Sequence, residues 1–426
     1  MSAFDQTLAD PRGPSARPQP AATLADPAEP QGDATSVTTA IPSTRSTVLP
    51  RVAYEGEVPK LVTDMRDRFE HAKVLGRGGV GEVLLARDND IDRPVAVKRL
   101  LPEFDDPGLI GRFVDEIRVL GALDHPNIVP IHDVGVDPDG RYYYVMKFVE
   151  GETLEHVIER LAAGDKDYHQ RYPFERRVEV FRQVLRAVQY AHARGVIHRD
   201  IKPANVMVGR YGEVLVMDWG IARRLHRDEA KPFPVHDEAA TLKAPRSAGA
   251  QESPRNRTVV GQLIGTPAYM SPEQARGDHE RLDERSDVYS LCVMFHEFLS
   301  LKHYLGHTQT VTECLAGAMK DEVPFASYVE NPHQPPVPAD LGHFVRHGVG
   351  KDPAERYRSV TEMLDRLQQI EEGHCPVECT ATMMKRMGTE TTHAIDRHPF
   401  VLLGAVALTL LLALAGVGLL VAHAAT

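Results

Sequence analysis

Short runs of apolar residues dominate the first patterned stretch of the chain and predict strands. Two such runs flank a glycine cluster at residues 76–81, and a third run covers residues 94–98. An amphipathic helix follows, in which apolar residues recur at helical spacing. They are Ile110, Phe113, Ile117 and Leu120. A buried strand is predicted at residues 142–148, so residues 69–149 form a strand-rich first lobe.

The pattern becomes mostly helical after about residue 150, for example over residues 178–193. Short strand-like runs at residues 206–208 and 214–217 interrupt the helices. The pattern continues to about residue 370, which predicts a helix-rich second lobe over residues 150–370. A strand-rich lobe followed by a helical lobe indicates an α+β, two-lobed fold.

Two segments lack any apolar periodicity. Residues 1–60 are rich in Pro, Ala, Ser and Thr, and such a segment is expected to be a disordered tail. The tail has no basic region followed by an apolar run, so it is not a secretory signal. A second polar stretch lies between Ala222 and Thr258, inside the second lobe, where a long loop is expected to be functional or disordered.

Residues 400–422 carry no charged side chain. A helix of this length measures about 34 Å, enough for a hydrocarbon core of roughly 30 Å. A buried helix of a globular domain is the alternative, but the run is apolar on all sides and follows a linker at residues 371–399. We therefore predict a single transmembrane helix. Lys385, Arg386 and Arg397 precede it, which predicts that the N-terminal bulk is cytoplasmic.

Composition and charge limit the classes of function that the chain can have. The 426 residues include 49 basic and 60 acidic side chains, a net charge of −11, which argues against a general nucleic-acid binder. Four cysteines are too few for a disulfide framework and fit a reducing compartment. Cys375 and Cys379, with His374 beside them, are either half of a metal site or free thiols in a linker.

The glycine cluster at residues 76–81 has the spacing G-x-G-x-x-G and lies between two predicted strands. Glycines allow the backbone to approach a phosphate closely. A dinucleotide-binding fingerprint has the same spacing but opens a helix, whereas residues 82–86 are strand-like. A plain glycine-rich hairpin is the other alternative.

Further motifs decide between these alternatives. Lys98 lies in an apolar strand and needs an anionic partner, which Glu116 on the next helix supplies. His198-Arg199-Asp200-Ile201-Lys202-Pro203-Ala204-Asn205 follows, and then Asp218-Trp219-Gly220. With these motifs in this order, residues 69–370 resemble the protein-kinase superfamily, in particular the bacterial eukaryotic-like serine/threonine kinases.

The resemblance implies ATP and Mg²⁺ as cofactors and assigns roles to residues of this chain. Asp200 would accept the proton of the substrate hydroxyl, and Lys202 would neutralise charge on the γ-phosphate. Asn205 and Asp218 would hold Mg²⁺. The implied ATP-binding residues are Gly76, Arg77, Gly78, Gly79, Val80, Gly81, Val83, Ala96, Lys98, Glu116, Met146, Phe148 and Val149.

The resemblance also predicts contacts in the second lobe. Residues 265–269 resemble the loop that holds a polypeptide substrate. Glu273 would pair with Arg356, and Asp287 would brace the catalytic loop. Trp219 replaces the usual Phe and would pack between the helix of the first lobe and His198.

The polar insert makes the activation segment, residues 218–273, unusually long. Arg199 precedes the catalytic Asp200, and in the family such an arginine faces this segment. The candidate phosphorylation sites of the segment are Thr241, Ser247, Ser253 and Thr258, and Thr258 is favoured because it lies closest to the resumed globular pattern. A phosphate on Thr258 would pair with Arg199 and order the segment. The resemblance therefore predicts activation by autophosphorylation, most plausibly between two self-associated molecules at the membrane.

Three rival functions remain to be compared. A pseudokinase scaffold would have lost Lys98, Asp200, Asn205 or Asp218. A small-molecule phosphotransferase would lack residues 265–273. A membrane adaptor would leave the catalytic set unexplained, so a kinase for protein substrates is the predicted function.

The N-terminal tail repeats one motif. Thr7-Leu8-Ala9-Asp10-Pro11 recurs as Thr23-Leu24-Ala25-Asp26-Pro27. Threonine followed three residues later by aspartate resembles the ligands of forkhead-associated domains. Phosphorylation of these threonines would therefore offer a dock for such a domain.

Overall fold

The structure is a computed structural model that describes residues 46–63, 66–78, 81–102, 106–219, 223–224, 267–278, 281–374 and 377–383. Residues 1–45, most of the polar insert and the predicted transmembrane helix at 400–422 lie outside these ranges. No helix in the described ranges is both long and apolar enough to cross a membrane.

A two-stranded hairpin precedes the first lobe, where the sequence predicts a structureless tail. Strands β1 (Arg51–Glu55) and β2 (Val58–Val62) pair antiparallel around Gly56, whose φ of 68° favours glycine. The prediction of a tail up to residue 60 is therefore wrong for the hairpin. Its strands are short and largely exposed, and their apolar pattern is correspondingly weak.

A five-stranded antiparallel sheet forms the first lobe. Its strands are β3 (Phe69–Arg77), β4 (Gly81–Asp88), β5 (Arg93–Leu100), β6 (Ile131–Val136) and β7 (Tyr142–Lys147), in the order β3-β4-β5-β7-β6. Alternate residues of β5 face opposite sides of the sheet. Val95 and Val97 pack in a small cluster with Val145, whereas Ala96 between them belongs to the main core.

Helix α1 (Pro107–Ala122) joins β5 to β6 and confirms the predicted amphipathic helix. Its first turn is capped by Asp106, whose side chain accepts a hydrogen bond from the Leu109 amide. Phe113 and Leu120 are buried in the main core. The buried face of α1 also carries Glu116, which this packing directs toward the cleft below the sheet.

The second lobe is mainly helical, as predicted. Its helices are α2 (Leu154–Ala162), α3 (Lys166–Arg171), α4 (Phe174–Ala193), α5 (Pro272–Ala275), α6 (Glu284–Ser300), α7 (Val311–Lys320), α8 (Ala339–Gly348) and α9 (Val360–Glu371). Its short strands are β8 (Gly151–Thr153), β9 (Val196–Ile197), β10 (Val206–Gly209), β11 (Val214–Val216) and β12 (Arg223–Arg224). The order β11-β10-β8 forms one small sheet, and β9 pairs with β12.

Helix α6 runs through the centre of the second lobe and is buried along most of its length. Phe295 of α6 stacks on Phe181 of α4, with ring centroids 4.0 Å apart. The end of α6 is held by Arg177, which donates to the carbonyl oxygens of Phe298 and Leu299 at 3.1 and 3.2 Å. This core fixes the loops that connect α4, β10 and α6, where the predicted catalytic residues lie.

Candidate active site

Lys98 lies at the centre of a charged cluster in the cleft. The strand register places it between Val83 and Tyr144. Its Nζ lies 2.7 Å from Glu116 Oε1 and 2.9 Å from Asp218 Oδ1. The Tyr144 hydroxyl donates to the same Glu116 oxygen at 2.7 Å. The predicted contact between Lys98 and Glu116 is therefore present, whereas the contacts with Tyr144 and Asp218 were not predicted from the sequence.

The cluster keeps both Lys98 and Asp218 charged. Burial, the largest influence on each group, acts to lower the pKa of Lys98 and to raise the pKa of Asp218. The neighbours outweigh burial: Tyr144, Asp218 and Glu116 hold the pKa of Lys98 well above its usual value. The charge and hydrogen bond of Lys98 bring the pKa of Asp218 below its usual value. A cation and a carboxylate thus face each other in the cleft at neutral pH.

The catalytic loop brings together the other predicted residues. Asp200 Oδ2 accepts from Lys202 Nζ at 2.8 Å and from Asn205 Nδ2 at 3.1 Å. Asn205 Nδ2 also donates to the carbonyl oxygen of Asp200 at 2.8 Å. Because both bonds use the amide nitrogen, the side-chain oxygen of Asn205 is directed away from Asp200.

The donor set fits the predicted magnesium site. The Met217 amide donates to the backbone oxygen of Asn205 at 2.9 Å, which holds Asn205 beside the residues that lead into Asp218. An amide oxygen and a carboxylate are hard oxygen ligands of the kind Mg²⁺ prefers. Asn205 and Asp218 are therefore the residues that would hold the ion.

Asp287 braces the catalytic loop from below, as predicted. Its Oδ2 accepts from the His198 amide at 2.8 Å, and its Oδ1 accepts from the Arg199 amide at 2.8 Å. His192 Nε2 lies 2.7 Å from the same Oδ2. These bonds hold Arg199 in the left-handed region, with φ at 70°, which a side chain other than glycine rarely adopts. The sequence reasoning missed His192.

Trp219 packs against the catalytic loop. Its ring is fully buried, with its centroid 4.4 Å from that of His198, so the predicted contact is present. Trp219 Nε1 is buried and has no hydrogen-bond partner within the described ranges. Asp218 before it has a φ of 60°. The packing of Trp219 and the ion pair with Lys98 therefore fix Asp218 from two sides.

The glycine-rich loop joins β3 to β4. The Gly78 amide donates to the Gly81 carbonyl at 2.8 Å. A side chain at Gly81 would place its Cβ 2.8 Å from the Arg99 carbonyl oxygen, so the close approach of β5 requires glycine here. Gly76 lies in β3, and Gly79 and Val80 lie outside the described residues.

Glu82 holds this loop, although the sequence reasoning did not predict it. Its carboxylate is buried and lies 3.1 Å from Arg77 Nε and 2.7 Å from Arg99 Nε. Arg77 belongs to the predicted ATP-binding set, and Arg99 follows Lys98 on β5. Alternation along β4 would have indicated that Glu82 is buried, because it lies two residues before the buried Leu84 and therefore on the same face of the strand.

Five of the predicted ATP-binding residues lie on β4, on β5 and at the end of β7. Ala96 of β5 is opposite Met146 of β7, and both are buried. Val83 and Phe148 are partly buried and pack against the same core, and Val149 is buried. The five side chains therefore provide apolar surface, and their predicted role in binding ATP stays a prediction.

The predicted pair at the substrate side is present. Arg356 Nη1 and Nη2 donate to the two carboxylate oxygens of Glu273 at 2.8 and 2.9 Å. Gln274, next to Glu273 on α5, donates to the Arg199 carbonyl at 2.9 Å and ties α5 to the catalytic loop. Nothing in the sequence pattern distinguished Gln274. Of the predicted substrate loop, residues 265 and 266 lie outside the described ranges.

Two other predictions fall partly or wholly outside the described ranges. Thr258 is outside them, so its contact with Arg199 stays a prediction. Of the two linker cysteines, only Cys379 is described, and His374 Nδ1 lies 3.7 Å from Glu372. No group of three or more potential metal-binding His, Cys, Asp or Glu side chains occurs in the described part of the chain.

A partly buried carboxyl that contacts Tyr269 predicts a pH effect on stability. Tyr269 donates to Glu297 Oε2 at 2.5 Å, and burial, with a further contribution from Glu155, raises the pKa of Glu297 from 4.5 to about 7. The stability that Glu297 contributes is full below its unfolded pKa and is lost as pH rises through about 7. We therefore expect Glu297→Gln to stabilise the chain by a few kcal/mol at most near pH 8 and hardly at all near pH 4.5.

Urea unfolding of the unchanged chain and of the Glu297→Gln variant at these two pH values measures the difference in unfolding free energy. An equal difference in unfolding free energy at both pH values would contradict the raised pKa.

Comparison with known proteins gives consistent matches. The family described as "Protein kinase domain" matches residues 69–367. Serine/threonine-protein kinase PknD of Protochlamydia amoebophila is 32% identical over 326 residues, which cover 74% of this chain and 31% of that protein. The proteins of the same name from Chlamydia caviae and Chlamydia muridarum are 31% and 30% identical over 310 and 305 residues. These matches cover 72% and 71% of this chain but only 31% of each relative, so the chain spans about a third of their length.

Proposed function

Because this chain belongs to the protein kinase family, as a serine/threonine protein kinase, we propose that it transfers phosphate from Mg-ATP to serine and threonine hydroxyls of proteins. One observation carries the proposal. Asp218, which pairs with Lys98, also lies close to the catalytic loop, because the Met217 amide donates to the Asn205 carbonyl at 2.9 Å and the charge of Lys202 helps to lower the pKa of Asp218. None of the residues whose loss would indicate a pseudokinase is replaced.

The chain supplies positioning and charge for this reaction. Lys98, held by Glu116, would bind the α- and β-phosphates, and the glycine-rich loop would cover them with backbone amides. Bound Mg²⁺ would neutralise phosphate charge. Asp200 would orient the substrate hydroxyl and accept its proton, while Lys202 would stabilise negative charge on the transferring group. Lys202 and Asn205 both donate to Asp200 Oδ2, and these two bonds fix the orientation of the carboxylate.

Labelled ATP tests the activity directly. We expect the purified chain to label a generic protein substrate in the presence of Mg²⁺, and acid hydrolysis to release phosphoserine and phosphothreonine. Absence of label, or release of phosphotyrosine alone, would contradict the proposal.

We further propose that residues 400–422 anchor the enzyme in a membrane with the kinase domain in the cytoplasm. The support is the uncharged run of 23 residues and the positive charges before it. We expect the full chain to resist alkaline carbonate extraction, whereas a chain that ends at Arg397 should be soluble and active. Recovery of the full chain in the soluble fraction would contradict the anchor.

Regulation through Thr258 is a separate proposal. Arg199 immediately precedes Asp200, and its own amide donates to Asp287, so a phosphate paired with Arg199 would act next to the catalytic carboxylate. We expect Thr258→Ala to lower activity several-fold while ATP affinity is kept. We also expect autophosphorylation to depend on enzyme concentration, because it occurs between two molecules. Full activity of the Thr258→Ala variant would show that Thr258 is not the regulatory site. Ser253→Ala is the comparison variant, because Ser253 lies in the same polar insert.

The repeated motif of the tail supports a proposed partner. We propose that phosphorylated Thr7 and Thr23 bind a protein with a forkhead-associated domain. Mass spectrometry of the active enzyme should find both threonines phosphorylated. If both are unmodified, the proposed binding of a forkhead-associated domain is contradicted.

A further inference from the structure

A polar cleft of about 590 Å³ lies in the second lobe. It is bordered by the end of α4, the start of α6 and the start of α9. Three of its side chains matter for its chemistry: Arg186, His192 and Glu284. None of the three belongs to the ATP-binding or catalytic residues described above.

The cleft contains a buried nitrogen without a partner. His192 is 4% exposed, and its Nε2 lies 2.7 Å from Asp287 Oδ2. The pKa of Asp287 is lowered against the effect of burial, first by the hydrogen bond from His192, so the carboxylate is ionised and Nε2 carries the proton. On a neutral ring Nδ1 then presents a lone pair. Nδ1 is buried and has no hydrogen-bond partner within the described ranges.

Glu284 adds a negative charge next to this nitrogen. Its Oε2 lies 3.9 Å from His192 Nδ1, too far for a hydrogen bond. The carboxylate has no other hydrogen bond or ion pair within the described part of the chain. A single group with two or more hydrogens to donate would satisfy both Nδ1 and the carboxylate, and a primary ammonium group has three.

The other groups that line the cleft favour the binding of an anion. Arg186 lines it without an ion-pair partner among the described residues. The 12-residue helix α9 begins there, and the cap by Ser359 uses the Glu362 amide. The amides of Val360 and Thr361 have no acceptor within the described ranges. A helix N-terminus and a guanidinium both bind carboxylates.

Two opposite charges thus line one cleft without pairing with each other. We propose that the cleft binds a small zwitterion with a primary ammonium and a carboxylate group, the chemical class of the free amino acids. The ammonium group lies between His192 Nδ1 and Glu284, and the carboxylate lies between Arg186 and the first turn of α9. Each charge of the cleft then faces the opposite charge of the ligand.

The site is linked to the catalytic loop through Asp287. His192 holds Asp287, and Asp287 accepts from the amides of His198 and Arg199, immediately before Asp200. A ligand that fixes the imidazole ring therefore stabilises the loop conformation used in the proposed reaction. This regulatory part rests on the proposed kinase function, whereas binding does not. We expect saturating ligand to raise kcat by about fivefold or more.

Calorimetry on the full chain with a panel of free amino acids tests binding, and acetate and methylamine are the single-charge probes. We expect at least one amino acid to bind more tightly than either single-charge probe. Arg186→Gln and Glu284→Gln should each weaken that binding by about tenfold or more. Arg182→Gln is the matched control on the same helix, because Arg182 pairs with Glu179 and Glu371 outside the cleft.

Each result decides a separate part of the proposal. Failure of every amino acid to bind, or equal binding by the Arg186→Gln variant, overturns the site. Binding that depends on Arg186 and Glu284 but leaves kcat unchanged overturns the coupling to the catalytic loop. Binding that depends on both residues in a chain with no kinase activity supports the site and contradicts the proposed function instead.

Discussion

The Asp200→Asn variant is expected to lose protein kinase activity by about 10³-fold. An amide cannot accept the proton of the substrate hydroxyl. The substitution also removes the negative charge that Lys202 and Asn205 contact at 2.8 and 3.1 Å. Initial rates of phosphate transfer to a protein substrate measure the loss.

Two controls separate loss of chemistry from loss of structure. Asp167→Asn, at an exposed position on α3, should keep full activity. The Asp200→Asn chain should also keep its affinity for ATP and its thermal unfolding temperature, because asparagine has nearly the same size and shape as aspartate. Near-full activity of Asp200→Asn would mean that another group accepts the proton.

Much of the candidate active site could be predicted because its residues belong to contiguous motifs with fixed neighbours. Lys98 required an anion because a charge in an apolar strand must be compensated, and Glu116 was the acidic residue on the buried face of the next helix. The pair of Glu273 and Arg356 came from the resemblance alone. Their sequence separation of 83 residues carries no periodic pattern.

The residues that escaped prediction have partners distant in sequence. Glu82 of β4 is buried because two arginines on the neighbouring strands neutralise it, Arg77 of β3 and Arg99 of β5. Gln274 matters because α5 packs beside the Arg199 carbonyl. His192 occupies the last turn of α4 and contacts α6, 95 residues further along. Local periodicity indicates that such side chains are buried but not which group they meet.

Arg356→Met is the substitution for which we expect the largest loss of stability, about 3–5 kcal/mol. The Arg356 side chain is fully buried, and the Glu273 side chain is 4% exposed. Removing the guanidinium leaves the Glu273 carboxylate in the core with only the Ser286 hydroxyl as a side-chain donor within the described ranges. Methionine fills a similar volume, so the loss reports the missing charge and hydrogen bonds and not a cavity.

Arg356 also satisfies backbone groups, which makes its loss costlier than neutralising its partner. It donates to the carbonyl oxygens of Gly350 at 2.7 Å, Arg285 at 2.9 Å and Lys351 at 3.3 Å. Glu273→Gln keeps an acceptor for Arg356 and leaves these carbonyl bonds intact. We therefore expect it to destabilise the chain less than Arg356→Met does.

Urea unfolding of the chain that ends at Arg397 gives the free energies. Arg346→Met is the matched control, because Arg346 is exposed and its contact with Glu322 is 3.8 Å long, so a change below about 1 kcal/mol is expected. Arg356→Met should also reduce kinase activity, since Glu273 anchors α5 and the neighbouring Gln274 holds the Arg199 carbonyl. A loss for Arg356→Met no larger than that for Arg346→Met would show that the buried pair does not stabilise the second lobe.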